Sequence, residues 1–438
     1  MQRQTAARIE TYPWSDSAWM RDRSRFALGS AVRIYQLRPE SWRRVPEDAN
    51  RPLSWRELAE YLGTYASRTG FTHVQLPIPA PASPAAAASG ASAVITEGLE
   101  LFVDSLHQRE VGVIAEWQAL STSGAAAGAE APIDWCRRYH IDGICLVPPL
   151  VSADTAATNA VNALLDVFRA RWPDVLTIAG APGTGLHCGF ELRTDWARRL
   201  LNYMALDPIL RSQRQRVLVD EITTGRSPRA ILPLTPALHA AASLIDPMPG
   251  DAWHQFANAR ALFGYAAGLP GDVLWYMGTE MGQSRALLAD DSLDWHRQDE
   301  PLNAGLRRWV ADLNAFARES ACGGSPVTAS FEWVDTADAA QSVVSFLRMS
   351  PEGSAALFVC NFTPVLRHNY RVGAPLAGTW RERLNSDAGL YGGGGRGNLG
   401  GAIATPVAWH GRPYSINLTL PPLAVLVLCH DGASRGVR

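Results

Sequence analysis

Residues 54–78 read SWRELAEYLGTYASRTGFTHVQLPI, and this stretch contains the repeating unit of the fold. In its first part, Ser54–Ser67, apolar residues recur at helical spacing, which predicts an amphipathic helix. Its second part, Thr72–Ile78, is a short run typical of a β-strand. A helix that leads directly into a strand is the building unit of parallel α/β folds, so this stretch predicts that fold class.

The same alternation continues from about residue 31 to residue 283. Further amphipathic stretches, Ala157–Arg171 and Asp251–Gly264, lie between the candidate strands and are expected to form an outer ring of helices. Eight candidate strands predict a closed (β/α)8 TIM barrel. They are Val32–Leu37, Thr72–Ile78, Gly112–Trp117, Gly143–Val147, Val175–Ala179, Gly189–Arg193, Ala230–Thr235 and Asp272–Met277.

After Gly323 the pattern changes to strand-like runs separated by glycine and asparagine turns, which predicts a separate antiparallel β domain. The boundary is expected near Cys322–Pro326. The clearest strand-like runs are Val343–Arg348, Ala356–Phe362 and Tyr414–Leu428.

The chain is therefore divided into an N-terminal linker segment (1–30), a barrel (31–322) and an all-β domain (323–438). Two stretches of low complexity, Pro79–Ala93 and Gly392–Gly401, are predicted to be loops.

Composition excludes several classes of function. The chain has 438 residues, 47% of them hydrophobic, and a formal net charge of −2, so no basic field would attract nucleic acid. No uninterrupted run of about 18 apolar residues occurs, and the first residues are polar, so a soluble cytoplasmic protein without a membrane partner is expected. The six cysteines are scattered singly, which argues against structural zinc.

All 40 basic residues are arginine, because the sequence contains no lysine. The lysine-dependent chemistry of phosphate-binding loops, kinases and pyridoxal enzymes is thereby excluded. Gly183-Thr-Gly185 with Gly189 has the wrong spacing for a dinucleotide-binding loop, and no cofactor or metal is expected.

Several longer strings resemble bacterial 1,4-α-glucan (glycogen) branching enzymes of the α-amylase superfamily, glycoside hydrolase family 13. The resemblance implies a (β/α)8 barrel followed by a C-terminal antiparallel β-sandwich. Because Tyr12 matches the linker before the barrel, no counterpart of the family's N-terminal carbohydrate-binding module is expected. The strings are Trp14–Met20, Ser41–Asn50, Trp55–Ala59, Gly70–Pro77, Asp246–Trp253, Phe256–Ala261, Met277–Glu280, Asp291–His296, Asn361–Pro364, His410–Arg412 and Leu418–Leu423.

Members of this family use an aspartate nucleophile and a glutamic acid at strand ends in a retaining reaction. The family's fourth-strand motif, Asp-Ala-Leu-Arg-Val-Asp, reads Asp142-Gly-Ile-Cys145-Leu-Val147 here. By this resemblance, Cys145 replaces the arginine and Val147 replaces the nucleophile.

The fifth- and seventh-strand motifs differ in the same way. Ala179-Gly-Ala181 stands where the family has Ala-Glu-Glu, so Gly180 replaces the general acid/base. Leu232-Pro-Leu-Thr-Pro-Ala237 stands where the family has Leu-Pro-Leu-Ser-His-Asp, so Ala237 replaces the third acid. Neither residue can donate a proton or form a glycosyl ester.

The third-strand motif reads Glu116-Trp117-Gln-Ala-Leu-Ser121, and the loop that carries a sugar-stacking tyrosine in the family is replaced by Pro79–Ala93. With Gly180 and Ala237 both small, the former pocket is expected to be shallow and apolar.

Two interpretations follow. The first is a catalytically inactive branching-enzyme homologue that serves as a scaffold or regulatory protein, with an α-glucan and an active enzyme of glycogen metabolism as expected partners. The second is an active 1,4-α-glucan branching enzyme that uses displaced carboxylates such as Glu116 or Glu280. Candidate substrate contacts are Glu116, Trp117, Glu280 and Trp295.

Overall fold

The computed structural model of the chain describes residues 12–78, 98–117, 130–147, 155–219, 229–239, 242–288, 290–319 and 329–430. Eight parallel strands close into a barrel in sequential order, with the first strand paired to the last. This confirms the predicted (β/α)8 barrel, and each predicted strand matches an observed one to within one residue at either end. The strands are β1 (Arg33–Gln36), β2 (His73–Pro77), β3 (Gly112–Trp117), β4 (Gly143–Leu146), β5 (Leu176–Ala179), β6 (Phe190–Leu192), β7 (Ala230–Leu234) and β8 (Asp272–Tyr276).

The predicted helices are present, and their ends lie within four residues of the predicted limits. The helix after β1 begins where the Ser54 side chain and Glu57 cap each other's backbone N–H groups, and it ends at Gly70, which has a φ of 75°. The helices are α1 (Ser17–Asp22), α2 (Ser24–Leu28), α3 (Pro39–Trp42), α4 (Trp55–Thr69), α5 (Leu99–His107), α6 (Glu130–Tyr139), α7 (Thr155–Arg171), α8 (Thr194–Met204), α9 (Pro208–Arg211), α10 (Ala252–Gly268) and α11 (Pro301–Arg318).

Residues 180–189 join β5 to β6 as turns and extended chain. The glycines at 183, 185 and 189 therefore precede a strand, as the sequence predicted, and do not begin a helix of the kind that binds phosphate.

The N-terminal segment packs into the barrel. Trp19 of α1 is buried, and its indole Nε1 donates a 2.8 Å hydrogen bond to Asp142 just before β4. Trp19 and Phe26 share a core with barrel-interior residues such as Ile114 and Ile178. The described part of the predicted linker, residues 12–30, thus closes the amino-terminal end of the barrel.

The C-terminal region is an antiparallel β domain, as predicted. A six-stranded sheet in the order β9-β10-β11-β16-β13-β14 faces the pair β12-β15 across an apolar core. The predicted boundary near residues 322–326 falls outside the described residues. The strands are β9 (Ser330–Asp335), β10 (Val343–Met349), β11 (Ala355–Asn361), β12 (Arg367–Ala374), β13 (Gly378–Asn385), β14 (Gly401–Ala404), β15 (Tyr414–Leu420) and β16 (Ala424–His430).

One predicted strand was wrong in extent. The run Tyr414–Leu428 forms two strands, because Pro421 and Pro422 have no N–H groups to donate to a sheet and the chain turns at Leu423, whose φ is 48°. The glycine-rich stretch 392–401 lies in turns up to the start of β14, as the sequence predicted.

The barrel and the β domain share a hydrophobic core. Phe346 and Phe358 of the sheet belong to the same cluster of buried residues as Tyr265 and Trp309 of the barrel helices. Helix α10 lies at the centre of this contact. A Cβ atom at its Gly268 would come within 2.5 Å of the Phe358 ring, so only glycine allows the approach.

Candidate functional site

A cavity of about 450 Å³ opens at the carboxyl ends of the barrel strands. Barrel enzymes place their reacting groups at this end, on the loops that follow the strands. Val147, Gly180 and Ala237, which sequence analysis matched to the three family acids, all line this one cavity. Val147 directly follows β4, Gly180 directly follows β5, and Ala237 lies three residues after β7.

The described residues that line the cavity include no aspartate or glutamate. Arg38 and Arg285 contribute guanidinium groups, and Gln36, Gln75 and Gln283 contribute amides. Hydroxyl-bearing residues such as Thr235 and Ser243, and apolar side chains such as Leu192 and Leu244, complete the lining. The lining is therefore mixed, with polar groups supplied from neighbouring strand ends.

Glu116, near the end of β3, is a predicted site residue whose three side-chain partners line the cavity. Its side chain is buried and forms a 3.0 Å ion pair with Arg38. The amide groups of Gln36 and Gln75 donate hydrogen bonds of 2.7 and 3.1 Å to the same carboxylate. Three strands therefore converge on one carboxylate, and three donors hold it.

The backbone at Gly180 packs tightly against β4. Its N–H donates a 2.8 Å hydrogen bond to the carbonyl of Leu146, which continues the strand pairing by one residue. A Cβ atom at position 180 would lie 2.3 Å from that carbonyl oxygen. The chain path at the end of β5 is thus one that only glycine occupies without displacing backbone.

Glu280 lies outside the cavity. It is fully buried, and its carboxylate accepts hydrogen bonds from Tyr35 (2.9 Å) and Tyr65 (2.6 Å). Burial raises the pKa of Glu280 above its usual value, although the two tyrosine hydroxyls oppose this shift. These contacts tie β1 and α4 to the segment after β8, which is a structural role.

The two candidate tryptophans offer little ring surface. Trp117 is 7% exposed and belongs to the barrel core. Trp295 is half-buried; its indole Nε1 donates a 2.7 Å hydrogen bond to the carbonyl of Trp42, and the Arg43 guanidinium lies 4.7 Å from its ring centroid. Ser121 and Pro79–Ala93, the other sequence-predicted differences at the mouth, lie outside the described residues.

The family described as "Alpha amylase, C-terminal all-beta domain" matches residues 333–431. The chain is 37% identical to "1,4-alpha-glucan branching enzyme GlgB" of Aquifex aeolicus (strain VF5), over 96% of this chain and 80% of that relative. It is 35% identical to the GlgB of Aromatoleum aromaticum, over 95% of this chain and 78% of that relative. The chain belongs to the GlgB family of 1,4-alpha-glucan branching enzymes.

Solved α-amylases have the same architecture as this GlgB-family chain. A crystal structure of an Anoxybacillus alpha-amylase superposes with a TM-score of 0.65 at 12% identity, covering 93% of this chain and 99% of that one. AmyP in complex with maltose superposes with a TM-score of 0.63 at 12% identity, covering 96% and 99% respectively. At this identity the likeness is one of fold.

In this GlgB-family chain, Cys145 lies inside the barrel where the sequence match places the family's arginine. Its side chain is fully buried, and burial raises the pKa of the thiol far above its usual value. A neutral thiol therefore lies beneath Val147, where the match predicts a guanidinium group.

Sequence analysis missed Arg38, Gln75 and Arg285 as lining residues. Each lies within or just after a barrel strand, or in the chain that follows β8, so position at a strand end was the available signal. Among the described helices, none combines the length and apolar character that crossing a membrane requires.

Proposed function

We propose that this member of the GlgB family does not catalyse glucan transfer and acts as a scaffold or regulatory protein of α-glucan metabolism in the cytoplasm. One observation carries the proposal. Val147, Gly180 and Ala237 come from three different strand ends, yet they line a single cavity. The match to the family acids is therefore supported in space as well as in sequence order, and none of the three side chains ionises.

Retaining glycosyl transfer requires two carboxyl groups about 5–5.5 Å apart, one as the nucleophile and one as the acid/base. The described residues that line the cavity supply neither. Glu116 is close by, but Arg38 and two amides already engage its oxygens.

An active enzyme with displaced carboxylates is the second candidate, and the position of Glu116 at the mouth is what favours it. It requires a second acid across the cavity. Glu280 does not fit this role, because its carboxylate is fully buried against Tyr35 and Tyr65.

The scaffold role is supported by the two folded domains that the chain retains. The closed barrel, the β domain and their common core are all present, and the polar contacts of Glu116 join β1, β2 and β3. An α-glucan and an active enzyme of glycogen metabolism are the proposed partners.

Incubation with amylose, followed by enzymatic debranching and chain-length analysis, tests the proposal. We expect no new α-1,6 branches and no shortening of chains, because the described residues that line the cavity include no carboxyl group to act as nucleophile or acid. The GlgB of Aquifex aeolicus, assayed in parallel, serves as the positive control. Branching by the purified chain that disappears in the Glu116→Gln variant would establish the displaced-carboxylate enzyme instead.

A further inference from the structure

Trp409 is an unusual tryptophan in this molecule. All fifteen tryptophans lie in the described part of the chain, and Trp409 alone is classed as exposed, with 46% of its surface accessible. A single exposed aromatic side chain is common on protein surfaces, so what matters here is the cavity and the fixed polar groups that lie beside the indole.

The backbone holds Trp409 in a fixed place. Trp409 and Arg412 exchange two backbone hydrogen bonds of 3.0 and 2.9 Å around a tight turn. The two central residues, His410 and Gly411, have φ values of 48° and 70°, as such a turn requires. A Cβ atom at Gly373 would lie 2.4 Å from the Trp409 carbonyl oxygen, so this glycine lets the turn pack directly on β12.

A cavity of about 780 Å³ lies beside the ring, within the size range of small-ligand sites. One side is a bulge in β12, where the pairing with β15 shifts between Arg367 and Tyr370 and Asn369 takes a φ of 54°. The bulge exposes His368 and Asn369 next to Trp409.

The opposite side is the segment between β9 and β10. The carboxylate of Asp338 accepts hydrogen bonds from the Tyr370 hydroxyl and the Gln341 amide, both at 2.9 Å. Arg367 in turn donates to the carbonyl of Gln341 at 3.0 Å. These bonds join the two sides, so the polar groups are positioned before any ligand arrives.

The charges in this cavity balance. Its lining includes two aspartates, Asp335 and Asp338, and two arginines, Arg367 and Arg371. A ligand with a net charge gains little here, whereas a neutral ligand rich in hydroxyl groups finds both donors and acceptors. A flat indole beside such groups suits a pyranose ring, which has one apolar face and a polar rim.

We propose that this cavity in the β domain binds a short segment of linear α-1,4-glucan, with one glucose ring stacked on Trp409. The α-1,4-glucan is chosen because the chain belongs to the GlgB family, whose members are named for that polymer. The site lies in a different domain from the barrel mouth, so it does not depend on whether the barrel is catalytic.

Isothermal titration of the full-length chain with maltoheptaose tests the site. We expect measurable binding that weakens at least about fivefold in Trp409→Ala, because the stacking contact is lost. Trp409→Phe retains an aromatic face and should lose less. Tyr61→Ala removes an equally exposed aromatic (46%) from α4 on the barrel exterior, and this control should bind as the unaltered chain does.

Three results would overturn the proposal: no maltoheptaose binding by the unaltered chain, equal affinity in the unaltered chain and Trp409→Ala, or an equal loss in Tyr61→Ala. Binding of the β-linked cellohexaose as tightly as maltoheptaose would overturn the choice of α-1,4-glucan. None of these outcomes bears on the branching assay, so the two proposals fail separately.

Discussion

Gly180, which we propose replaces the family's acid/base, lies in a backbone arrangement that leaves no room for a side chain. The Leu146 carbonyl accepts a hydrogen bond from the Gly180 N–H and occupies the place where a Cβ atom would lie, 2.3 Å away. Any side chain at this position must push one of the two strand ends aside. The absence of a side chain at position 180 is therefore coupled to the path of the backbone.

We predict that Gly180→Ala destabilises the protein by about 1–3 kcal/mol, because an added methyl group overlaps fixed backbone atoms. Chemical denaturation measures the change. Gly389→Ala is the matched control: a Cβ atom there meets nothing within 4 Å, so its free energy of unfolding should change by less than about 0.5 kcal/mol. Equal stability of the two variants would show that β4 and β5 adjust freely.

The close approach of the Leu146 carbonyl to Gly180 also affects a variant in which acids are introduced at the three positions. We expect the variant Val147→Asp, Gly180→Glu, Ala237→Asp to remain inactive in the branching assay, because the Gly180 backbone must move and Cys145 does not replace the arginine beneath the site. Activity near that of the Aquifex aeolicus enzyme would show that the cavity accepts the acids after all.

At the scale of elements, a buried histidine joins α1, α5 and β4. His107 ends α5, and its two ring nitrogens lie 2.8 Å from Asp16 and 2.8 Å from Asp142. Burial alone would lower the pKa of His107, but attraction to Asp142 and hydrogen bonds to both carboxylates outweigh it and raise the pKa to about 9. The imidazolium therefore binds the N-terminal helices to the barrel.

This raised pKa predicts a pH dependence of stability. The folded protein retains the His107 proton more tightly than the unfolded chain does, so the contribution is complete below the unfolded pKa of about 6.5 and is lost as pH rises through 9. Between these values the stability should fall by on the order of 3 kcal/mol. Thermal unfolding from pH 6 to pH 10 measures the decline.

His107→Gln should flatten this part of the profile, since no proton remains to be lost at that position. His187→Gln is the control, because the His187 side chain is exposed in the chain between β5 and β6 and its ring pairs with exposed Asp166. A profile in His107→Gln that keeps the full decline would mean that another group titrates.

At the scale of the whole molecule, one core spans both domains. The Phe358 ring stacks on Phe346 with centroids 4.8 Å apart and packs against Gly268 of α10 in the barrel. Arg260 of the same helix donates a 2.8 Å hydrogen bond to the carbonyl of Ser386 in the β domain. The domains therefore lack the polar, weakly packed contact that allows independent motion.

We predict that Phe358→Ala destabilises the barrel as well as the β domain, by about 3–5 kcal/mol, and that both unfold in one transition. Hydrogen exchange in β3 of the barrel measures the remote effect, and calorimetry measures the cooperativity. Leu399→Ala, at a fully exposed position in the β domain, should change neither. Faster exchange confined to the β domain would show that the domains unfold separately.

The sequence by itself determined the fold and the chemical identity of the strand ends. Hydrophobic periodicity is local, so the eight barrel strands could be placed to within one residue, and the order of motifs assigned Val147, Gly180 and Ala237 to three strand ends. Pro421 also indicates that the last predicted strand divides in two, because proline has no N–H group to donate to a sheet.

Only the tertiary structure decided what each candidate side chain touches. Glu116 receives its partners from β1, the chain after it and β2. Glu280 is buried between two tyrosines from β1 and α4, and Trp295 is covered by Arg43. These contacts join residues far apart in sequence, so no local pattern encodes them. Exposure likewise depends on how the whole chain packs. For this reason the sequence suggested Trp295 as a contact residue, whereas the structure leaves Trp409 facing solvent.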